Sequence, residues 1–374
     1  MKKKLCFILL IIVVLLVCCV VFLHNPEVSV AATPLNVDLG DLNKFVPTLC
    51  YTDDSRMIFS LGQRIRDGSG PLVNTEVLAI YNYTEEAVEK EFTVNRDSYI
   101  YRIIPYKDGL LYSDYESIED SDGNVNWTVN YISDKEKMEI CKGRARYYER
   151  TPAFAKIGDE VVFLCEHAGE GGYRYEVNRL VGFEAENIFT DTEHVLVGSK
   201  MMCTNNEEYC FMAAKEGDKY ATLVIGDLKG KRSYTPTDGL LISYGITDKY
   251  AVCSVKQEIG ENLFRQTLVR INVKTGKVST YMEEACYRIT GGQSKFCLCV
   301  DDNFQPFEIN LKKGQRKALN IEGFINNENS ALAFYPAGKD RIIVNYNMGE
   351  KYFLFISTLQ PVPLMLPNFK EYPV

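Results

Sequence analysis

The stretch KGRARYYER, residues 142–150, sets three arginines beside two tyrosines. Arg144, Arg146 and Arg150 carry planar guanidinium groups that can grip a carboxylate with two parallel bonds, and Tyr147 and Tyr148 offer flat rings for stacking. The pairing returns in EEACYRITGG as Tyr287 and Arg288. These seven residues form a candidate binding set for a carboxylate-bearing or carbohydrate ligand. The competing reading is a solvated loop whose charges only keep a strand edge wet.

Other chemistries are less well supplied. EDSDGNVN, residues 119–126, alternates Asp120, Asp122, Asn124 and Asn126 in a way that resembles an oxygen-rich calcium loop. Its glycine comes too early for the helix-loop-helix pattern, and no bidentate Glu follows, so an ordinary Asp-Gly turn is the plainer reading. AGEGG, residues 168–172, is rich in glycine, but no helix follows to present free amides to a phosphate. His167 beside Glu166 reads as a loop residue rather than an acid-base pair. With three histidines in all, one of them in the leader, a multi-histidine metal centre is close to excluded. No metal and no cofactor is implied.

Of the twelve cysteines, Cys6, Cys18 and Cys19 belong to the leader and nine to the body, an odd number without CxxC spacing. Most read as small buried hydrophobes in strands. Cys297 and Cys299 in FCLCV share one strand face and are too close to bond each other. Cys203 and Cys210, flanking TNNEEY, are placed to face each other across a hairpin and form the candidate disulfide. An exported body with so many remaining thiols suits a reducing habitat. No nucleophile elbow, zinc-protease helix or sialidase box occurs, and no catalytic residue is assigned. Paired carboxylates for glycoside cleavage are not identifiable from spacing along the chain.

The elements that must position these residues repeat. Short apolar runs begin near residues 56, 109, 160, 209, 250, 296 and 341. They are RMIFSL, GLLYSDY, EVVFLCE, YCFMAAK, YAVCSVK, FCLCVD and RIIVNYN, each expected to be the second strand of a unit. Polar turns such as DDS, YKDG, TNNEE and AGKD precede them, and third strands such as NWTVNYIS and FRQTLVRINV follow. The intervals fall in the range of propeller blades, and helical periodicity is absent. One four-stranded meander cannot cover both of its faces, whereas radially arranged sheets cover one another. The expectation is therefore an all-β chain: a β-propeller of four-stranded antiparallel blades, seven favoured and six or eight allowed, after one N-terminal hydrophobic helix. Long second-to-third-strand loops are expected in the first three units.

The cadence of LVRINVKTGKVSTYM and FEINLKKGQRKALN resembles the blades of bacterial TolB-like and related extracytoplasmic propellers, from about Val46 to Pro367. That resemblance implies the fold and a tendency to bind, with no catalytic residue.

Residues 1–25 are read as a signal peptide or transmembrane anchor, 26–45 as a linker and 46–374 as the propeller. Leu5 to Leu23 is an apolar run about 28 Å long as a helix, close to the thickness of a hydrocarbon core. Bulky residues precede Cys18 and Cys19, which disfavours lipidation. SVA or VAA before Thr33 offers small residues to a signal peptidase, but some way beyond the apolar core. The balance favours an uncleaved anchor with MKKK inside the cell and the body outside. A net charge of −8 disfavours nucleic acid. The partners expected are the membrane, through the leader, and a protein, peptide or glycan. The function expected is a non-catalytic binding or scaffold propeller. The alternatives are a hydrolase or lyase of a cell-surface polysaccharide and a membrane-tethered sensor or assembly factor.

Overall fold

Asp and Asn side chains close the tight turns between the apolar runs. Asp53 accepts the backbone N–H groups of Ser55 and Arg56 at 3.1 and 2.9 Å. Asn205 does the same for Glu207 and Glu208 at 2.8 and 2.6 Å, and Asn272 for Lys274 and Thr275 at 3.1 and 3.0 Å. Each side-chain oxygen satisfies amides that the turn would leave bare, so the strands on either side can pair without penalty.

A computed structural model describes residues 30–358, apart from 67–70, 101, 118–123, 147–150, 170–171, 198–201, 216, 261–262, 283–287, 291–295, 301–304, 311–314, 322–329, 338–340 and 349–350. The leader lies outside the described residues. Among them, no helix is long and apolar enough to cross a membrane.

The first strand, β1 (Val30–Leu35), precedes a short 3-10 helix, Gly40–Lys44. Four-stranded units follow in order. The first is β2 (Val46–Thr52), β3 (Arg56–Arg66), β4 (Pro71–Asn82) and β5 (Ala87–Ser98). The second is β6 (Arg102–Tyr106), β7 (Gly109–Ser117), β8 (Val125–Ile132) and β9 (Lys137–Ala145). The third is β10 (Ala153–Ile157), β11 (Glu160–Gly169), β12 (Gly172–Val181) and β13 (Glu184–Asp191). In the fourth, the inner strand is split into β14 (His194–Leu196) and β15 (Cys203–Thr204), followed by β16 (Glu208–Lys215), β17 (Thr222–Asp227) and β18 (Arg232–Pro236). The fifth is β19 (Leu240–Ile246), β20 (Tyr250–Gly260), β21 (Leu263–Asn272) and β22 (Val278–Met282). The sixth is β23 (Arg288–Thr290), β24 (Phe296–Val300), β25 (Pro306–Asn310) and β26 (Gln315–Ile321). The last three strands are β27 (Ser330–Pro336), β28 (Arg341–Met348) and β29 (Lys351–Thr358). Every apolar run expected as a second strand occupies that position.

Within each unit the strands are antiparallel neighbours in chain order, as a meander requires. The first strands of successive units touch in sequence, β2 with β6, β6 with β10, β10 with β15, β15 with β19 and β19 with β23, and β27 returns to β2. That cyclic adjacency makes the fold a β-propeller. Hydrogen bonding gathers the strands into six sheets, because β1 joins the sixth unit to β27–β29 in one sheet of eight. Val30–Ala32 pair in parallel with Leu319–Ile321 of β26, and Thr33–Leu35 pair antiparallel with Leu354–Ile356 of β29.

Alternation along the strands builds apolar faces on both sides of each blade. In β11, Val162 and Leu164 pack with Phe211 and Val224 of the fourth blade. Val161, Phe163 and Cys165 pack with Trp127 and Tyr131 of the second. Each fully buried side chain of this size contributes about 1.5–3 kcal/mol, so the interfaces between sheets are the core.

Two expectations change. The segment 26–45, read as a linker, contributes β1 and the 3-10 helix, and Leu39 and Leu42 of that segment are buried against the first blade. Pro34 and the lack of alternation hid the strand. A proline fits there because residues 33–35 pair on one side only. The second-to-third-strand loops of the first three blades are also shorter than expected. Arg66 pairs with Pro71, Ser117 with Val125 and Gly169 with Gly172, since extending the ladder satisfies backbone groups that a loop would leave to water.

Candidate functional site

The hairpin of β11 and β12 closes at Gly169 and Gly172, which fixes the register behind it. Cys165 stands opposite Glu176, Glu166 opposite Tyr175 and His167 opposite Arg174. Cys165, His167, Arg174 and Glu176 therefore share the face of the third blade that meets the second. Across this interface lie Trp127 on β8, Cys141 and Gly143 on β9, and Arg146 just beyond β9.

Trp127, the chain's only tryptophan, donates its indole N–H to the Glu166 carbonyl oxygen at 3.0 Å and sets its ring edge-on to His167 at 5.2 Å. Glycine is required at 143. A Cβ there would lie 2.3 Å from Cζ2 of Trp127 and 3.0 Å from Nδ1 of His167, so any larger residue would expel the indole.

Arg146, a candidate from the sequence, is brought into this cluster. Its backbone N–H donates to Glu166 Oε1 at 3.0 Å, and its guanidinium lies 3.9 Å from Glu166 Oε2 and 4.6 Å from the centre of the Tyr173 ring. The Glu166 side chain is 1% exposed and that of Arg146 is 25% exposed. The ring beside Arg146 is Tyr173 of the next blade, which the sequence reading did not name.

Arg144 lies on β9 opposite Asn126 and is exposed. Tyr147, Tyr148, Arg150 and Tyr287 fall outside the described residues, as does most of the Asp-rich stretch 119–126. Arg288 opens β23 opposite Val300, after the connector between the fifth and sixth blades. That connector is equivalent to the one following Arg146 but three blades further round.

His167 belongs to β11 rather than to a loop, and its acidic partner is Glu176 instead of Glu166. Its Nε2 lies 3.2 Å from Glu176 Oε2 and 3.6 Å from Cys165 Sγ. Burial lowers the imidazole pKa from its ordinary value, Glu176 pulls it up and Arg174 pushes it down, with a net lowering. Arg174 Nε also donates to Glu176 Oε1 at 3.1 Å. Asn178 Nδ2 lies 3.5 Å from Cys165 Sγ. Burial raises the Cys165 thiol well above its usual pKa, reinforced by Glu176 and Cys141.

Sequence reading missed Trp127, Cys165, Tyr173 and Glu176. The cross-strand pair Cys165 and Glu176 follows from the register of the β11–β12 ladder, and the contact of Trp127 with His167 from packing between blades. Cys203 and Cys210 do stand opposite each other in the β15–β16 ladder, both buried, and the structure holds them as thiols.

No family model matches the sequence, and no curated protein matches it. Solved structures do. A prolyl endopeptidase aligns over 82% of this chain at 11% identity with a TM-score of 0.50, and the alignment spans 46% of that longer protein. The WD40 domain of Pan2 from Neurospora crassa aligns over 89% of this chain and 96% of its own, at 7% identity and a TM-score of 0.51. An oligogalacturonate lyase solved with manganese aligns over 84% and 89%, at 11% identity and a TM-score of 0.50. TolB from Acinetobacter baumannii is matched more loosely, at a TM-score of 0.36. At such identities the likeness is one of fold: the chain resembles known β-propellers.

Proposed function

We propose that this chain is an extracytoplasmic, non-catalytic binding or scaffold propeller that engages a protein, peptide or glycan bearing carboxylate groups. The recognition face is the one carrying the blade-to-blade connectors and the second-to-third-strand turns. The observation that supports it is the part-exposed Arg146 guanidinium held over Tyr173, with Arg144 on β9 before it and Tyr147, Tyr148 and Arg150 after it in sequence. Tyr287 and Arg288 repeat the pairing in sequence, where the chain passes from the fifth blade to the sixth. A buried carboxylate behind Arg146 fixes its position, and a fixed guanidinium loses less entropy on binding.

Replacing Arg144, Arg146, Tyr147 and Tyr148 together by alanine is expected to lower binding to immobilised uronic-acid oligosaccharides or acidic peptides by at least about tenfold, the cost of one good charge-assisted contact. Unchanged binding by the folded variant overturns the site. Release of shortened or unsaturated products from the same oligosaccharides would instead favour the hydrolase or lyase reading.

The leader is proposed to remain as a membrane anchor with the propeller outside. Cleavage before Ala32 or Thr33 would cut inside β1 and remove residues that pair with β26. In this reading the chain works at the membrane surface, where a sensor or assembly role is the alternative to ligand capture.

A further inference from the structure

We infer that Cys165, His167 and Glu176 form a binding site for a single zinc-class divalent cation at the junction of the second and third blades. This goes beyond the recognition role above and rests on different atoms. The sulfur, the imidazole nitrogen and the carboxylate oxygen lie within 4.8 Å of one another. A tetrahedral zinc ion bound through sulfur at about 2.3 Å and through nitrogen and oxygen at about 2.0–2.1 Å sets its ligands roughly 3.6 Å (S to N) and roughly 3.4 Å (N to O) apart. The corresponding distances here are 3.6 Å from Cys165 Sγ to His167 Nε2 and 3.2 Å from that nitrogen to Glu176 Oε2. Two of the three separations already stand near those that the ion imposes, and the third lies within 4.8 Å.

The backbone explains why. Cys165 and His167 are two apart on β11, and Glu176 is the direct cross-strand partner of Cys165, so a regular ladder presents all three on one face without strain. Arg174 holds the second carboxylate oxygen of Glu176 and orients it, as outer partners of metal ligands do. Cys165 is completely buried, while His167 and Glu176 are each about one-fifth exposed, so the cation would enter from the rim and meet the sulfur last. Binding displaces the Cys165 thiol proton to solvent and leaves one coordination position for water. A mixed sulfur, nitrogen and oxygen set suits zinc better than magnesium or calcium, which take oxygen ligands.

The test uses the full chain in detergent, reduced and stripped of metal, titrated with zinc chloride. Fluorescence of Trp127, whose ring touches His167, is expected to change and saturate at one equivalent. Cobalt chloride is expected to give a thiolate charge-transfer absorption band, absent in Cys165→Ser. His167→Gln and Glu176→Gln alter the part-exposed rim, and their folds can be checked by circular dichroism. His167→Gln is expected to weaken zinc binding by more than about 100-fold and Glu176→Gln by at least about tenfold, since losing even an outer partner costs about 10–100-fold. Cys141→Ser is expected to leave the affinity within about threefold, since Cys141 borders the site without ligating. The inference is overturned if the wild-type chain shows no saturable response, or if both rim variants fold and bind zinc as tightly as the wild type. It is also overturned if Cys141→Ser abolishes binding while Cys165→Ser does not. None of these results bears on oligosaccharide or peptide capture by Arg146.

Discussion

At the scale of single residues, Asp191 shows how one carboxylate ties a propeller together. Its Oδ2 accepts the hydroxyls of Tyr175 at 2.9 Å and Tyr234 at 2.8 Å, and its Oδ1 accepts the amides of Glu193 and His194 at 2.7 and 2.9 Å. The imidazole of His194 lies 3.0 Å from Oδ2 and stacks on Tyr234. Burial by itself would raise the carboxyl pKa, but the hydrogen bonds from Tyr234, the two amides and Tyr175 outweigh it and hold the group below 3.8. A carboxyl depressed in the folded state stabilises the fold fully above its unfolded value. That contribution is lost as pH falls through the folded value. Thermal unfolding measured between pH 6 and about pH 2 is expected to show an acid-side loss of stability that Asp191→Asn reduces. At neutral pH the same variant is expected to be less stable by about 1–3 kcal/mol, because an amide N–H₂ cannot accept the two tyrosine hydroxyls.

At the scale of elements, hairpins decide which side chains can react. The amide of Asn205 donates to the Glu208 carbonyl oxygen at 3.0 Å, and the ladder then carries Cys203 opposite Cys210. Two residues beyond a hydrogen-bonded pair is again such a pair, with Cα atoms about 5.5 Å apart, inside the range that a disulfide spans. We expect these two thiols to oxidise to a cross-strand disulfide when the protein is purified in air. Alkylation after denaturation without reductant should leave both unlabelled, and labelling of both would refute the pairing. TNNEEY was enough to locate this hairpin, because Asn205 announces its own turn. The Cys165 hairpin was harder to read, since glycines at 169, 171 and 172 permit several turns and only the folded ladder selects one.

At the scale of the whole molecule, β1 is the element that couples the two ends of the chain. Its first half pairs with β26 and its second half with β29, so the final sheet is completed by the N-terminal strand. The Tyr335 hydroxyl donates to the Leu49 carbonyl oxygen at 3.0 Å, fastening β27 to the first blade. Pairings so distant along the chain cost loop-closure entropy before they form, which slows folding. Mass spectrometry of the mature protein is expected to find residues 30–32 retained and the protein in the membrane fraction. A mature chain starting at Ala32 or Thr33 would overturn the anchor and leave β26 without its partner.

The sequence by itself determined the strand class, the second and third strands of the repeating units and the turns between them. These depend on two-residue periodicity and on Asp, Asn and Gly acting over a few neighbouring residues. It also placed Arg146 among the binding candidates, because residue types alone announce that chemistry. Only the tertiary structure decided that Tyr173 and Glu166 lie against Arg146, that Cys165, His167 and Glu176 converge beside Trp127, and that residues 30–35 are a strand. Those outcomes rest on ladder register, on packing between neighbouring blades and on a partner strand some three hundred positions away, none of which leaves a local pattern in the chain.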